Sequence, residues 1–422
     1  MRETIVLGAG MVGVSTALAL QARGHAVTLV DRRGAGEETS HGNAGIIQAE
    51  AAEPYAIPRD VKTLMRYALG RSNDVTYDLA SMARMLPALA SYFRFSAPAK
   101  HHEIAKTYAQ LIARSTSTHE PLIQASGADN LIRRDGFAMV LRDDAEFEAS
   151  AREAERLKTL YGIQSQTFDG ASYRREEPAL ITPIGGAVVW PNTWTCSDPG
   201  GLTKAYAQLF EKQGGRFLTG DASSLKQTSA GRAGGGSAWQ VDTEEGPITA
   251  TDAVIALGPW APELLKRFGY GVKMVLKRGY HGHFQASLSP RRPFLDKTNS
   301  VVLSPMTNGL RMTSGAALVA QNAPSNPVQL DRAISNVREI LDIGAPTQDA
   351  IWVGHRPCLP DMLPLAGRAP KHDGLWFHFG HGHQGFTLGP ATSDVLLDAM
   401  DGRTDAITTA LDPRYRSAIL SW

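Results

Sequence analysis

The chain has 422 residues, 43% of them hydrophobic, and 43 basic against 42 acidic side chains leave a net charge of +1. That length can bury two cores, and the balanced charge offers no general attraction to nucleic acid. Two cysteines, Cys196 and Cys358, cannot build a disulfide framework and neither stands in a C-x-x-C pair, which points to a reducing, intracellular setting.

No basic segment followed by an apolar stretch precedes the first strand, so no cleaved signal peptide is expected. No run approaches the roughly eighteen apolar residues of a spanning helix. The chain opens on an apolar strand, Thr4-Ile5-Val6-Leu7, that runs into Gly8-Ala9-Gly10-Met11-Val12-Gly13 and a helical pattern through Val14, Leu18 and Leu20 to Gly24. A second apolar strand, Ala26 to Val30, ends on Asp31. Each part of this G-x-G-x-x-G unit suits a dinucleotide. Gly8 permits the turn, Gly10 leaves room for the pyrophosphate, and Gly13 lets helix and strand pack closely. Met11 and Val12 open the helix whose N–H groups would hold the pyrophosphate, and Asp31 can accept ribose hydroxyls. Arg32 and Arg33 could grip a 2′-phosphate, but Asp31 would repel it, so the plain ribose of FAD or NAD fits better. The motif alone leaves flavin and nicotinamide open.

A polar, glycine-rich loop follows from Gly34 to Gly45, and Pro58 to Ala125 reads as several helices punctuated by Pro58, Pro87, Pro98 and Pro121. Gly136 to Leu141 reads as strand, Glu146 to Tyr161 as a charged surface helix stopped by Gly162, and Gly201 to Gly214 as helix before a strand at Arg216. Residues 238–243 and 246–250 form a hairpin-like pair, after a low-complexity stretch at 229–236 read as a surface loop. Asp252 to Gly258 is an apolar strand, and 272–320 carries extended runs that suggest an antiparallel sheet. Gly374 to Gly380 is a last strand, followed by a glycine-rich turn and a helix from Gly389 to Met400.

These elements in this order resemble the flavoenzymes of the D-amino-acid oxidase and dehydrogenase type. Beside the fingerprint, Ser40-His41-Gly42-Asn43-Ala44-Gly45 resembles that family's loop under the flavin, and Val254 to Trp260 its strand ending in glycine. Gly354-His355-Arg356-Pro357, with Pro360, Asp361 and Pro364, resembles its C-terminal signature, and Gly380 to Pro390 its final flavin-contact loop. The Asn43-Ala44-Gly45 element and the arrangement from Arg356 to Pro364 resemble the bacterial D-amino-acid dehydrogenases within that family. The resemblance implies non-covalent FAD, although His41 is a residue to which some relatives attach the flavin. It implies cofactor contacts from Gly8, Gly10, Met11, Val12, Gly13, Asp31, Arg32, Ser40, His41, Asn43, Ala44, Gly45, Gly258, Gly382, His383, Gln384, Gly385, Phe386 and Thr387.

The fold class expected is α/β, with a Rossmann-like FAD-binding domain over residues 1–55, 145–260 and 345–422. A second, mainly antiparallel-sheet domain carrying helices is expected over 56–144 and 261–344, binding and capping the substrate. An arginine can clamp an amino-acid carboxylate through two parallel charge-assisted bonds, and the resemblance gives that role to Arg356. Tyr280 and His383 are the foremost candidates for orienting the amine, with Tyr55, His355 and Gln384 as further substrate contacts. Tyr55, Tyr280 and Phe284 together could enclose a ring or a small aliphatic chain.

The expected activity is FAD-dependent oxidative deamination of a D-amino acid to a 2-oxo acid and ammonia, with electrons leaving to a quinone or another respiratory acceptor. The alternatives are a secondary amino acid such as proline, hydroxyproline or sarcosine, or an oxidase using oxygen. More distant ones are a nicotinamide dehydrogenase and a non-enzymatic dinucleotide sensor. No metal is expected, because His378, His381 and His383 lack a paired cysteine or carboxylate template. The implied location is cytoplasmic, peripheral to the inner face of the cytoplasmic membrane.

Overall fold

The structure is a computed structural model and describes residues 2–70, 73–228, 238–348 and 350–422. The stretch read as a surface loop at 229–236 lies outside the described residues. Two large sheets organise the chain. In the first, Arg216–Thr228, Ala26–Asp31, Glu3–Leu7, Asp252–Ile255 and Leu375–Phe379 run parallel in that order. The hairpin Ala238–Thr243 and Gly246–Ala250 extends one edge, and Leu365–Arg368 closes the other antiparallel. The inner strands read as unbroken apolar runs because helices or other chain cover both faces. On one face Met11–Ala22 packs against Gly385–Met400 and Pro199–Lys212, joining Val14, Leu18, Tyr206, Phe210 and Leu396 in one core. On the other, Trp239, Leu265, Tyr270 and Phe377 form a second core.

The second sheet is mixed and mainly antiparallel, with the long strand Val275–Ala286 at its centre. Gly309–Thr313 pairs with its far half and Trp352–Cys358 with its near half. Two runs read separately in the sequence, at 273–276 and 281–285, are therefore parts of one strand joined through Arg278-Gly279-Tyr280. Helix Val328–Val337 packs over a core containing Tyr280, Phe284, Leu310 and Met312.

Strand membership departs from the expected segments in two places. Gly186–Trp190 pairs with Phe137–Leu141, and Gln166–Asp169 pairs with Gly186–Trp190, so both belong to the second sheet. Trp352–Cys358 joins it too, through Val275–Ala286, which places Arg356 within a strand. The cause of the first departure is local. Asp144–Tyr161 returns the chain directly beside Phe137–Leu141, and the fully buried Gly186–Trp190 pairs with the nearest open edge.

The prolines also punctuate less than expected. Pro87 and Pro121 lie inside Leu79–Phe95 and Ser115–Ser126. Each loses one backbone hydrogen bond. The Asp78 cap on the Ser81 N–H and the left-handed Gly127 hold the outer ends of these helices, while Tyr92, His119 and Ile123 bury their inner faces. The helix expected from Gly389 starts four residues earlier, at Gly385.

Candidate active site

One continuous cleft of about 410 Å³ runs from Gly8, Gly10 and Asp31 to Arg356 and His383, with walls from both sheets. At its first end Gly8 has φ +105°, and a Cβ there would stand 2.6 Å from the Ala256 carbonyl oxygen. A Cβ at Gly13 would meet the Gly8 carbonyl oxygen at 1.8 Å, so helix and strand could not close to this distance with any other residue. Asp31 accepts from the Ala9 N–H at 2.7 Å and the Arg33 N–H at 3.0 Å. Burial raises its carboxyl pKa, opposed by these two N–H groups.

Ser40 Oγ accepts from the Met11 N–H at 2.9 Å, and the helix has no acid in its first turn, so its positive end is left for an anion. Val12 lines the cleft beside it. Arg32 lies 4.7 Å from the Trp260 ring centroid and donates to Glu38 at 2.7 Å, which neutralises it against a 2′-phosphate. Gly258 borders the same end. The narrow glycine turn, the open helix end and the ribose acceptor together fit FAD.

The loop after Ser40 is held from the second sheet. Buried Arg311 donates to the carbonyls of His41 (2.9 Å) and Asn43, and its Nε donates to His283 Nε2 at 3.0 Å. Burial pulls Arg311 down to about 10 and leaves His283 at about 4, so the imidazole is a neutral acceptor. Asn43 Oδ1 in turn accepts from the Gly45 N–H at 2.8 Å. Gly42 and Asn43 line the cleft, whereas Ala44 packs on the core around Ile46 and Trp190 and Gly45 turns the chain against Cys196.

At the other end, register decides which side chains meet. Residues directly opposite in an antiparallel pair share a face, and faces alternate along each strand. Arg356 stands opposite Lys277, and Gly354 opposite Gly279. Trp352, Arg356 and Cys358 therefore share one face with Lys277 and His281. Gly279 makes room for the clamp, because a Cβ there would lie 2.8 Å from Arg356 Nη2. Arg356 Nη1 donates to the Gly315 carbonyl at 3.2 Å, and burial lowers its pKa.

The same alternation corrects two expectations. Tyr280 and His355 border the cleft but project their side chains to the opposite face. The Tyr280 hydroxyl accepts from the Asn326 N–H at 3.1 Å, and its ring lies in the core with Phe284. His355 Nε2 accepts from Arg278 Nε at 3.1 Å, with burial pushing it to about 4. Neither group faces Arg356, and the pocket imagined from Tyr55, Tyr280 and Phe284 does not form.

His383 does face the site. Its ring is 4.8 Å from that of Tyr55, and burial followed by the charges of Arg356 and Lys277 pushes its pKa well below 6.5. Gln384 is fully buried and donates to Gln48 Oε1, Gln48 donates to Glu50, and the Thr193 hydroxyl donates to the second Glu50 oxygen. Gln384 thus ties the turn to a buried carboxyl whose pKa burial raises. Thr387 donates to the Ile46 carbonyl at 3.2 Å, while Gly382, Gly385 and Phe386 line the cleft. Lys277, Gln48, Glu50 and Trp352 were not read from the sequence as site residues. Lys277 was legible only through its spacing of two from Gly279, once the partner strand is known.

Residues 3–399 match the family model described as FAD dependent oxidoreductase. The chain is 28% identical to a D-amino acid dehydrogenase of Cereibacter sphaeroides (strain ATCC 17029 / ATH 2.4.9), over 96% of this chain and 93% of the relative. It is 31% identical to a D-amino acid dehydrogenase of Dechloromonas aromatica (strain RCB), over 95% and 97%. Among solved structures, glycine oxidase from Geobacillus kaustophilus superposes with a TM-score of 0.71 at 20% identity, over 97% and 98% of the two chains.

Proposed function

The chain belongs to the FAD dependent oxidoreductase family, and from that premise we propose that it deaminates a D-amino acid oxidatively, yielding a 2-oxo acid and ammonia through an imino acid. As an amino-acid oxidoreductase it depends on FAD. When bound, FAD supplies the acceptor for the two electrons and the Cα hydrogen. Gly8, Gly10, Met11, Val12 and Asp31 would hold its dinucleotide part, and the 380–387 turn would approach its ring. The observation that carries the reading is Arg356: a guanidinium in the same cleft, outside any ion pair among the described residues, with donors left after its bond to Gly315.

Arg356 takes the substrate carboxylate and thereby fixes Cα. His383, neutral, accepts a hydrogen bond from the amine but does not retain its proton, which leaves to water past Tyr55. Tyr55, whose ring packs 4.8 Å from that of His383, is 54% exposed. The relatives named as D-amino acid dehydrogenases support the D-configuration and an acceptor other than oxygen.

Peripheral contact with a membrane, where a quinone would be met, is supported by an apolar stripe. Val61, Met65 and Leu69 recur every four residues along Val61–Ala68 and its cap, all exposed, with Lys62 and Arg66 beside them. Among the described residues no helix is long and apolar enough to cross a membrane.

Anaerobic mixing of the holoenzyme with D- and L-amino acids tests the reading through bleaching of the yellow flavin band. D-isomers are expected to bleach it, and a soluble quinone to restore it faster than air. Bleaching by no amino acid would overturn the assignment, and rapid peroxide formation in air would make the protein an oxidase.

A further inference from the structure

Lys277 stands directly opposite Arg356 in an antiparallel pair, so two cations leave one face of the sheet from Cβ positions only about 5 Å apart. Like charges so placed repel, and neither forms an ion pair among the described residues. Their hydrogen bonds go to neutral oxygens. Lys277 Nζ donates to the Tyr92 hydroxyl at 3.0 Å and lies 4.5 Å from the Tyr92 ring centroid, while Arg356 donates to the Gly315 carbonyl. The Tyr92 hydroxyl in turn donates to the Tyr55 carbonyl, which fixes the ammonium in place. One of its three N–H donors is thereby used.

His383 lines the cleft with Arg356 and packs its ring 4.8 Å from that of Tyr55, while Lys277 is tied through the Tyr92 hydroxyl to the Tyr55 backbone, which brings the four residues together. His383 is uncharged there, and the nearby Glu50 carboxyl is tied to Gln48 and Thr193. Among the described residues, no carboxylate stands as an anionic partner of either cation.

We propose that the substrate brings it: the amino acid oxidised here carries a second carboxylate, with Arg356 holding the α-carboxylate and Lys277 the one on the side chain. This rests on the oxidative deamination proposed above and narrows its substrate class to acidic amino acids such as aspartate and glutamate. Two carboxylates separated by a short carbon chain match two cations rooted on adjacent strands. Holding two half-buried cations side by side without such a partner would leave their partial desolvation and mutual repulsion uncompensated.

The test compares substrates of equal shape and different charge on the holoenzyme: D-glutamate against D-glutamine, and D-aspartate against D-asparagine. The expected wild-type preference in kcat/KM is at least about 10-fold for the acid in one pair. Lys277→Met should lower that acid-to-amide ratio by about 10- to 100-fold, and Lys277→Arg should keep most of it. Calorimetry gives a readout free of turnover: glutarate should bind more tightly than butyrate to the wild type, and the difference should vanish in Lys277→Met. An equal loss on acid and amide would mean that Lys277 shares the α-carboxylate, overturning the proposal. So would a wild type that oxidises amides as well as acids, a result that stands even if Lys277→Met does not fold. If amides are oxidised and acids are not, this inference alone falls. If no amino acid reduces the flavin, the proposed function falls with it.

Discussion

At the scale of single residues, the site is divided by the face on which each side chain leaves its strand. Arg356 needs a planar fork to hold a carboxylate at a fixed angle, and a lysine there offers a point charge on a shorter, more flexible reach. Arg356→Lys is therefore expected to lower kcat/KM by about 100-fold or more, with both KM and kcat affected because Cα is displaced as well as loosened. Tyr280→Phe is the contrasting variant. Its hydroxyl faces Asn326 on the other side of the sheet, so steady-state kinetics should stay within about threefold of wild type while the fold loses about 1 kcal/mol with the hydrogen bond. A loss of turnover in Tyr280→Phe comparable to that in Arg356→Lys would place the hydroxyl back in the reaction and sink the assignment of faces.

At the scale of elements, the opening strand, turn and helix were legible because everything that specifies them is local. Gly8 is the sharpest test. Its φ of +105° and a would-be Cβ at 2.6 Å from Ala256 leave no room for alanine, whereas Gly24, at φ +79°, has nothing within 4 Å. Gly24→Ala is expected to cost about 1 kcal/mol and to retain FAD, while Gly8→Ala should cost more than about 2 kcal/mol and purify with little or no flavin. Flavin content per chain and a thermal melt decide between them, and equal behaviour of the two variants would refute the close approach. What was not legible is long-range. The apolar run at 186–190 is compatible with either sheet until Phe137–Leu141 is seen beside it. Likewise Lys277 and Tyr280 look equally placed in the sequence, and only the pairing with Trp352–Cys358 turns one toward Arg356 and the other away. The family-like arginine could be found from its motif, but its lysine neighbour could not, because register is a property of two strands.

Across the whole molecule, buried neutral histidines make stability depend on pH with a definite sign. Burial lowers His119, His283 and His355 to about 4, His381 to about 3 and His281 to about 2. The unfolded chain, with imidazoles near 6.5, binds more protons than the native one below that value. Their contribution is therefore complete above about pH 7 and is lost as pH falls through 6.5 toward 4. Glu50 and Asp31, with raised pKa values, act in the opposite sense, stabilising most below the ordinary carboxyl range and less as pH rises through their folded values. Between pH 5 and 7 the five histidines prevail. His119 joins the helices: its Nε2 donates to the Phe386 carbonyl at 3.0 Å, which leaves Nδ1 to accept from the Tyr206 hydroxyl at 2.9 Å. Protonating Nδ1 removes that acceptor, and at pH 5.5 the unfolded chain's readier protonation of this one group costs the fold on the order of 1 kcal/mol. Thermal melts of the holoenzyme should shift steadily downward from pH 7.5 to 5.5. His119→Gln should melt lower at pH 7.5 but lose less on acidification, because one titrating group is gone. A wild-type melting temperature that stays flat over this interval would mean that the histidines are protonated or exposed in the native state, contrary to the burial described here.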